Sequence, residues 1–381
     1  MSDTPSDLQL VEVTTSKLLD EFIKVQARLH KDDPNWISPL HIERRALLDV
    51  KNNPYFEHAK ARFWLAQKHG RFVGRISAQI DQLAIETQGH NVGHFGMFTC
   101  EDDQEIAKLL LSTAENWLRE QGMEKIQGPM NLSINQEVGL MTEGLDSPSM
   151  MLMPHDLGHL RPMLETLDYK TAAKMVAYIR NAHTLFPDSL RKLAERNSGD
   201  KVKLRKLDMK HYDQEIETIV SIFNEGWHTN WGFVPMTKSE VSHMAAELRP
   251  IIDANLACFA EIDGEAAGFL VCVPDVNEMI TDLEGKLLPF GWLKLLWRMK
   301  VRGPKSARVM LMGVRKEYAS GMLGQLLPFR MIYFIEKYLE RSSIEQVEMG
   351  WILEDNAPVR RLIERVGGKV YKKYQVFEKT L

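Results

Sequence analysis

One plan of elements is written twice along this chain. Residues 63–78 alternate apolar and polar side chains around His69-Gly70-Arg71, and residues 257–271 do the same around Asp263-Gly264. Alternation broken by a turn dipeptide is the pattern of a β-hairpin. Successive strand side chains face opposite ways, and glycine supplies the positive φ of the turn. The sequels correspond as well. The first hairpin is followed by an apolar strand over 92–98 and a helix over 103–120, with Ile106, Leu109, Leu110, Thr113, Ala114 and Trp117 on one face. Gly122 ends that helix, and a strand follows over 125–128. After the second hairpin come a strand over 307–314, a long helix running to Glu340 and a strand over 346–352. A short helix over 357–366 then stops at Gly367-Gly368, before a closing strand over 370–378. The two copies, about 190 residues apart at Gly74 and Gly268, predict two α/β domains, 1–195 and 196–381, meeting in the polar stretch 196–201.

Composition narrows the function. Lys and Arg total 48 against 52 Asp and Glu, a net charge of −4, so no global positive field is available to hold nucleic acid. Cys100, Cys258 and Cys272 are far apart and form no CxxC, which argues against a disulfide framework or a cysteine zinc site. With no secretory signal at the start, the cytoplasm is the expected location. No apolar run reaches the roughly 18 residues of a membrane span. His155 and His159, at i and i+4, are a possible metal pair on a helix, but with no third ligand in view no metal is expected.

The order of elements resembles the GNAT superfamily of acyl-CoA-dependent N-acyltransferases. The second half carries the better match. Gly313-Val314-Arg315-Lys316-Glu317-Tyr318 resembles the "GV-x-P-x-Y" end of that fold's fourth strand, and Asn356 with Gly367 resembles the Asn…Gly spacing of its CoA-side helix. The whole chain resembles a bacterial group of tandem double-GNAT proteins, to which ceramide-synthase-type acyltransferases are related. The shared segments are Phe223-Asn224-Glu225-Gly226-Trp227, Trp231-Gly232-Phe233-Val234-Pro235, Pro274-Asp275-Val276-Asn277-Glu278, Leu288-Pro289-Phe290-Gly291 and Gly350-Trp351-Ile352-Leu353-Glu354-Asp355-Asn356. The resemblance implies an α/β (α+β) fold of two GNAT-like domains, each a mixed, mostly antiparallel twisted sheet flanked by helices. It also implies acyl-CoA or acetyl-CoA as co-substrate.

In that fold the fourth and fifth strands splay apart, and the acyl-pantetheine inserts between them like an added strand. Here Met312, Gly313 and Val314 would pair with it. The diphosphate would meet the helix N-terminus at Ser320, Gly321, Met322 and Gly324, where orphan N–H groups and the helix dipole favour an anion, with Asn356 nearby. The usual loop is Arg/Gln-x-x-Gly-x-Gly/Ala. Met322 stands at its key glycine position and no basic residue precedes it in the loop, so the loop is either a working variant or a relic. Pro328 predicts a kink or a late helix start. The tyrosine that often protonates the leaving thiolate is replaced by Ile363; Tyr371 and Tyr374 lie beyond it.

The candidate general bases each have a structural alternative. Glu348, in the fifth strand, is a base or a salt-bridged strand residue. Glu354, with Asp355 and Asn356, supplies a base or caps the next helix. His228 is a base or the cation that offsets a helix C-terminus. The first half has no comparable loop: Phe98-Thr99-Cys100-Glu101-Asp102-Asp103 carries three acids that would repel a diphosphate. Its stretch 128–155 is either a long surface loop or part of a substrate cleft.

An insertion over 275–303 separates the third and fourth strands of the second half. Its Trp- and Leu-rich centre, 287–300, would pack as core, cover an acyl channel or lie in a lipid interface as a peripheral membrane contact, or form a dimer contact. Asn277, Glu278 and Trp292 are the candidate substrate-binding residues there. The expected activity is acyl transfer from acyl-CoA to a primary amine, a small molecule or lipid such as a long-chain amino alcohol. The alternatives are an inactive GNAT-fold binding protein, favoured by Met322 and Ile363, and aminoacyl transfer from aminoacyl-tRNA.

Overall fold

The computed structural model describes residues 7–195 and 201–381, the side chains of Met322 and Leu323 apart. Residues 196–200, where the division between the two halves was expected, lie outside it. The chain forms two compact units, and they are not its contiguous halves. The first takes the residues up to Met175 together with Ile280–Pro289 and Lys372–Leu381; the second takes Val176–Met279 and Phe290–Tyr371.

The sheet of the first unit contains β1 (Leu8–Glu12), β2 (Ala59–Lys68), β3 (Arg71–Asp81), β4 (Val92–Cys100) and β5 (Lys125–Gly128) in that order. Pairing is antiparallel from β1 to β4 and parallel between β4 and β5. Helix α1 (Ser16–Leu29) covers one face, burying Phe22 and Val25 with Leu65, Met97 and Leu132. Helix α2 (Gln104–Glu120) covers the other, burying Ile106, Leu110, Ala114 and Leu118. Asp103 caps α2 by accepting from Glu105 N–H, and it pairs with Lys68 at 2.7 Å. Two of the acids in this loop therefore have partners, since Glu101 also meets Arg71 at 3.3 Å.

Stretch 128–155 is not a surface loop. Met130, Leu132, Val138, Leu140 and Met141 are all buried, and the partly buried Glu137 pairs with Arg44 and accepts from Asn131 Nδ2 at 2.6 Å. Strand β6 (Leu140–Glu143) lies in this stretch.

The second unit repeats the plan. Its strands are the distal part of β7 (Lys170–Asn181), then β8 (Val202–Lys206), β9 (Ala257–Ile262), β10 (Glu265–Pro274), β11 (Ser306–Val314) and β12 (Gln346–Leu353). The spatial order is β7-β12-β11-β10-β9-β8, antiparallel from β8 to β11 and parallel between β11 and β12. Helix α3 (Tyr212–Trp227) precedes β9, and helix α4 (Gly291–Trp297) lies in the insertion. Helix α5 (Gly321–Leu339) buries Leu327, Met331, Ile335 and Leu339 against the sheet, and α6 (Ala357–Arg365) follows β12. Of the kink or late start expected from Pro328, the late start is not observed, since α5 begins at Gly321 and runs through Pro328. Gly324 is needed for a local reason: a Cβ there would stand 2.1 Å from the carbonyl oxygen of Tyr318.

The last strand, β13 (Lys369–Thr380), was expected to close the second half. Its residues from Lys372 onward instead belong to the first unit, paired antiparallel with β5 and β6. Burial explains the destination. Phe377 sits in the α2-side core, and the fully buried Lys372 ammonium donates to Gly144 O at 2.6 Å, Ser147 O at 2.7 Å and Ser147 Oγ at 2.9 Å. Each unit thus draws its sixth strand from the other half of the chain.

Two buried imidazoles make the first unit sensitive to acid. Burial lowers His30 and His94 from the ordinary 6.5 to about 4. The unfolded chain takes up these protons first, so their contribution is complete above pH 6.5 and is lost as the pH falls towards 4. The thermal midpoint is expected to drop across that window, and His94→Gln, which cannot titrate, is expected to flatten the drop in a melting series against pH.

Candidate functional site

The parallel ladder between β11 and β12 is short. Ser306 opposes Gln346, Ala307 Val347, Arg308 Glu348 and Val309 Met349, and there it ends. The reason lies on the other side of β11. Against β10, Val271 opposes Leu311 and Cys272 opposes Val309, so Met310 is an extra residue. A bulge adds local twist and bends its strand. It therefore turns residues 310–314 away from β12 while 311–314 keep their pairing to β10.

A buried charge pair stands where the ladder ends. Arg308 Nε meets Glu348 Oε1 at 3.0 Å, and Arg308 Nη2 donates to Gly350 O at 2.9 Å, one residue past the last ladder pair. Tyr371 donates its hydroxyl to Glu348 Oε2. Gly350 is glycine because β7 is close: a Cβ would stand 2.8 Å from Ala177 Cβ.

Behind the split lies a cavity of about 280 Å³ between the sheet, α5 and α6, near the lower end of the range for ligand pockets. Met310 to Val314 line one side and Met349 to Leu353 the other, with Ile332, Ile335, Leu362 and Ile363 from the helices. Its charged and amide side chains among the described lining residues are Arg180, Asn230, Glu336 and Asn356. Arg180 and Glu336 form a bidentate pair, both contacts 2.7 Å, and Arg180 also donates to Thr184 O at 2.5 Å. Burial raises the Glu336 carboxyl, against the pairing with Arg180 that lowers it.

The sequence-predicted residues distribute as follows. Met312, Gly313, Val314 and Asn356 line the cavity; Asn356 also caps α6, accepting from Val359 N–H at 3.3 Å. Ser320, Gly321 and Gly324 stand at the start of α5. The backbone at Gly321 has φ +76°, with nothing within 4 Å of where a Cβ would stand. Met322 is in the same first turn, and its side chain lies outside the described residues. Ile363, where a tyrosine was looked for, is buried and lines the cavity.

Glu348 is fully buried and is not among the lining residues, whereas its neighbours Val347 and Met349 are. Glu354 lies in the turn before α6, its carbonyl accepting from Arg360 Nη1 at 2.8 Å. His228 ends α3, its Nε2 2.8 Å from Lys316 Nζ on the surface. Glu278 pins the start of β11, accepting from Lys305 N–H at 2.6 Å and Ser306 Oγ at 2.5 Å. Asn277 N–H donates to Asp275 Oδ1 at 3.2 Å. These two therefore stand at the closed end of the ladder, and neither lines the cavity; nor does Trp292, on α4.

His155 and His159 do not form a metal pair on one helix. His155 Nε2 meets Asp33 Oδ2 at 2.9 Å, and His159 Nε2 bonds Cys100 O at 2.9 Å. Among the described residues no group of three or more His, Cys, Asp or Glu is placed to hold a metal. No described helix is long and apolar enough to cross a membrane.

Sequence reasoning missed Met310, Arg308 and the Arg180–Glu336 pair, and it quoted Trp227 only as part of a shared segment. Arg308 and Glu348 left a trace, because each is a single charge inside an otherwise apolar strand. The bulge left none.

No family model matches the chain. Two curated proteins match along almost its whole length. Bacterial ceramide synthase of Caulobacter vibrioides (strain NA1000 / CB15N) is 46% identical over 379 residues, 99% of each chain. Protein YghO of Escherichia coli (strain K12) is 41% identical over 364 residues, 95% of this chain and 93% of its own. The chain belongs to the family of these two proteins. Solved structures agree on the fold. A tandem GNAT protein from the clavulanic acid biosynthesis pathway superposes with a TM-score of 0.57 at 12% identity, covering 98% of both chains. A GCN5-related N-acetyltransferase from Sphaerobacter thermophilus gives 0.53 at 12% identity, covering 99% of this chain and 96% of its own. In this tandem GNAT chain the open split belongs to the second unit.

Removing one partner of a buried ion pair strands the other charge. Arg180→Met is expected to cost about 3–5 kcal/mol in urea unfolding, and adding Glu336→Leu is expected to restore most of it.

Proposed function

We propose that the second unit binds an acyl-CoA at the split between β11 and β12 and directs its acyl group to a primary amine, with a long-chain amino alcohol as the acceptor class. The single observation that carries the reading is the ladder ending at Val309 and Met349 in front of an apolar cavity. The name of the Caulobacter relative, bacterial ceramide synthase, supports the acceptor class.

The residues present fit such a co-substrate. Backbone that has left the ladder can pair with an extended pantetheine arm, as a sheet edge pairs with a peptide. Gly313 is glycine for a packing reason, since a Cβ there would stand 2.9 Å from the Phe269 ring. In this reading the backbone of Met312 to Val314 orients the thioester and polarises its carbonyl, the role of preorganised donors in acyl transfer. Ser320, Gly321, Met322 and Gly324 receive the diphosphate at the start of α5, where unpaired N–H groups and the helix dipole favour an anion. Asn356 keeps the mouth of the cavity polar, and Trp227 and Ile363 help exclude water. Bound acyl-CoA supplies an activated acyl group whose leaving thiol has a pKa of about 8.5, so Ile363 in place of a tyrosine removes little driving force. The acceptor proton goes to His228 or Glu354, the candidates nearest the open end in sequence. Glu348 acts as a positioning residue through Arg308.

The test is product analysis by mass spectrometry with palmitoyl-CoA and a long-chain amino alcohol, alongside calorimetry with CoA alone. Amide product and heat with CoA are expected. Heat without product would move the acceptor to another amine; no heat with CoA or palmitoyl-CoA would favour the binding-protein alternative. Ile332→Trp, which fills the cavity, is expected to lower kcat/KM for palmitoyl-CoA by about tenfold or more, equivalent to about 1.4 kcal/mol, with the melting temperature retained.

A further inference from the structure

The insertion of the second unit carries a run of large apolar side chains that are exposed. Helix α4 runs on without a break into one turn of π-helix, Arg298–Arg302. Along this stretch Leu293 is 46% exposed, Trp297 57% and Val301 68%, one beneath the other at four-residue spacing. Leu296 at 49% widens the stripe, and Phe290 at 68% heads it. Leu295 and Met299 are only partly buried on the other side, and Arg298 Nη1 donates to Met279 O at 2.6 Å, which ties the helix down by its polar flank. Contiguous exposed patches of this kind mark a surface that meets another apolar phase.

Charge selects the partner. Between Gly285 and Lys305 there is no Asp or Glu, while Lys286, Lys294, Arg298, Lys300 and Arg302 are cationic, in a chain whose net charge is −4; Lys305 is already paired with Glu345 at 2.7 Å. A second copy of the chain would bring the same cations face to face. An anionic lipid surface matches the pattern, since its headgroups take the cations while its acyl boundary takes Trp297 and the leucines. Twelve helical residues extend about 18 Å, short of the roughly 30 Å of a bilayer core, so the helix can only lie in the interface. Tryptophan suits that depth, with an apolar body and one N–H for the headgroup layer.

We propose that residues 290–302 are a peripheral docking surface for an anionic bilayer. The inference stands on this stripe alone and holds whether or not the split binds acyl-CoA.

Full-length protein is mixed with vesicles of phosphatidylcholine, or of phosphatidylcholine and phosphatidylglycerol in equal parts, and sedimented. Wild type is expected to pellet with the anionic vesicles, weakly with the neutral ones, and to be released by salt. The triple variant Leu293→Ser, Trp297→Ser, Val301→Ser and the charge-reversal variant Lys300→Glu, Arg302→Glu are each expected to lower binding by about tenfold or more, with unchanged circular dichroism. Quenching of tryptophan fluorescence by brominated acyl chains is expected in wild type. Three results would overturn the proposal: wild type left in the supernatant with anionic vesicles, the triple variant binding like wild type, or light scattering showing a wild-type dimer that the triple variant dissolves.

Discussion

Four residue pairs of parallel ladder and then none: the interruption after Val309 and Met349 is the feature on which the site in the second unit depends. It has a cause on each side. Met310 is one residue too many for β10, so β11 twists away beyond it. Arg308 reaches across to the Gly350 carbonyl, a group that must find a donor once the ladder stops. Glu348 neutralises that guanidinium, and Tyr371 satisfies the remaining carboxylate oxygen. A carboxylate in the fifth strand beside an opening invites a catalytic reading; here it is fully buried and already holds two partners, Arg308 and Tyr371.

The first unit shows what happens when the same break is filled. Its β4 carries one residue more than β3 between Gly96 and Thr99, and its parallel ladder with β5 ends at His94 and Gln127. The chain's own next segment then occupies the gap. Met97 N–H donates to Asn131 Oδ1 at 2.7 Å, Gln79 Nε2 to Met130 O at 2.7 Å and Tyr55 to Leu132 O at 3.0 Å. A Cβ on Gly96 would stand 1.9 Å from Met130 O, so the segment is pressed against the strand. Backbone groups that the second unit leaves at an open split are here satisfied from within. The acidic loop 98–103 pointed to the same asymmetry through charge; the plug adds a steric reason.

Much of the fold was legible because it is local. Turn dipeptides marked both hairpins, helical periodicity marked α2, and Asn356 stood where α6 needed a cap. The cavity-lining part of the site, Met312, Gly313, Val314 and Asn356, was legible through resemblance, since motifs fix positions along a strand. Residues whose meaning depends on a partner far away in sequence were not legible. Arg180 and Glu336 are 156 positions apart, and the bonds of Glu278 to Lys305 and Ser306 became visible only in the fold.

By itself the sequence determined the two copies of one α/β plan, their element boundaries to within a few residues, and the apolar, acid-free character of 287–300. Those properties follow from backbone preference, periodicity and charge, which act between near neighbours. Tertiary structure alone decided where the last strand goes, which of the two splits stays open and which carboxylates are already paired. Each of those outcomes is set by competition for burial and for hydrogen-bond partners among segments distant in the chain, as when Lys372 finds three acceptors between Gly144 and Ser147.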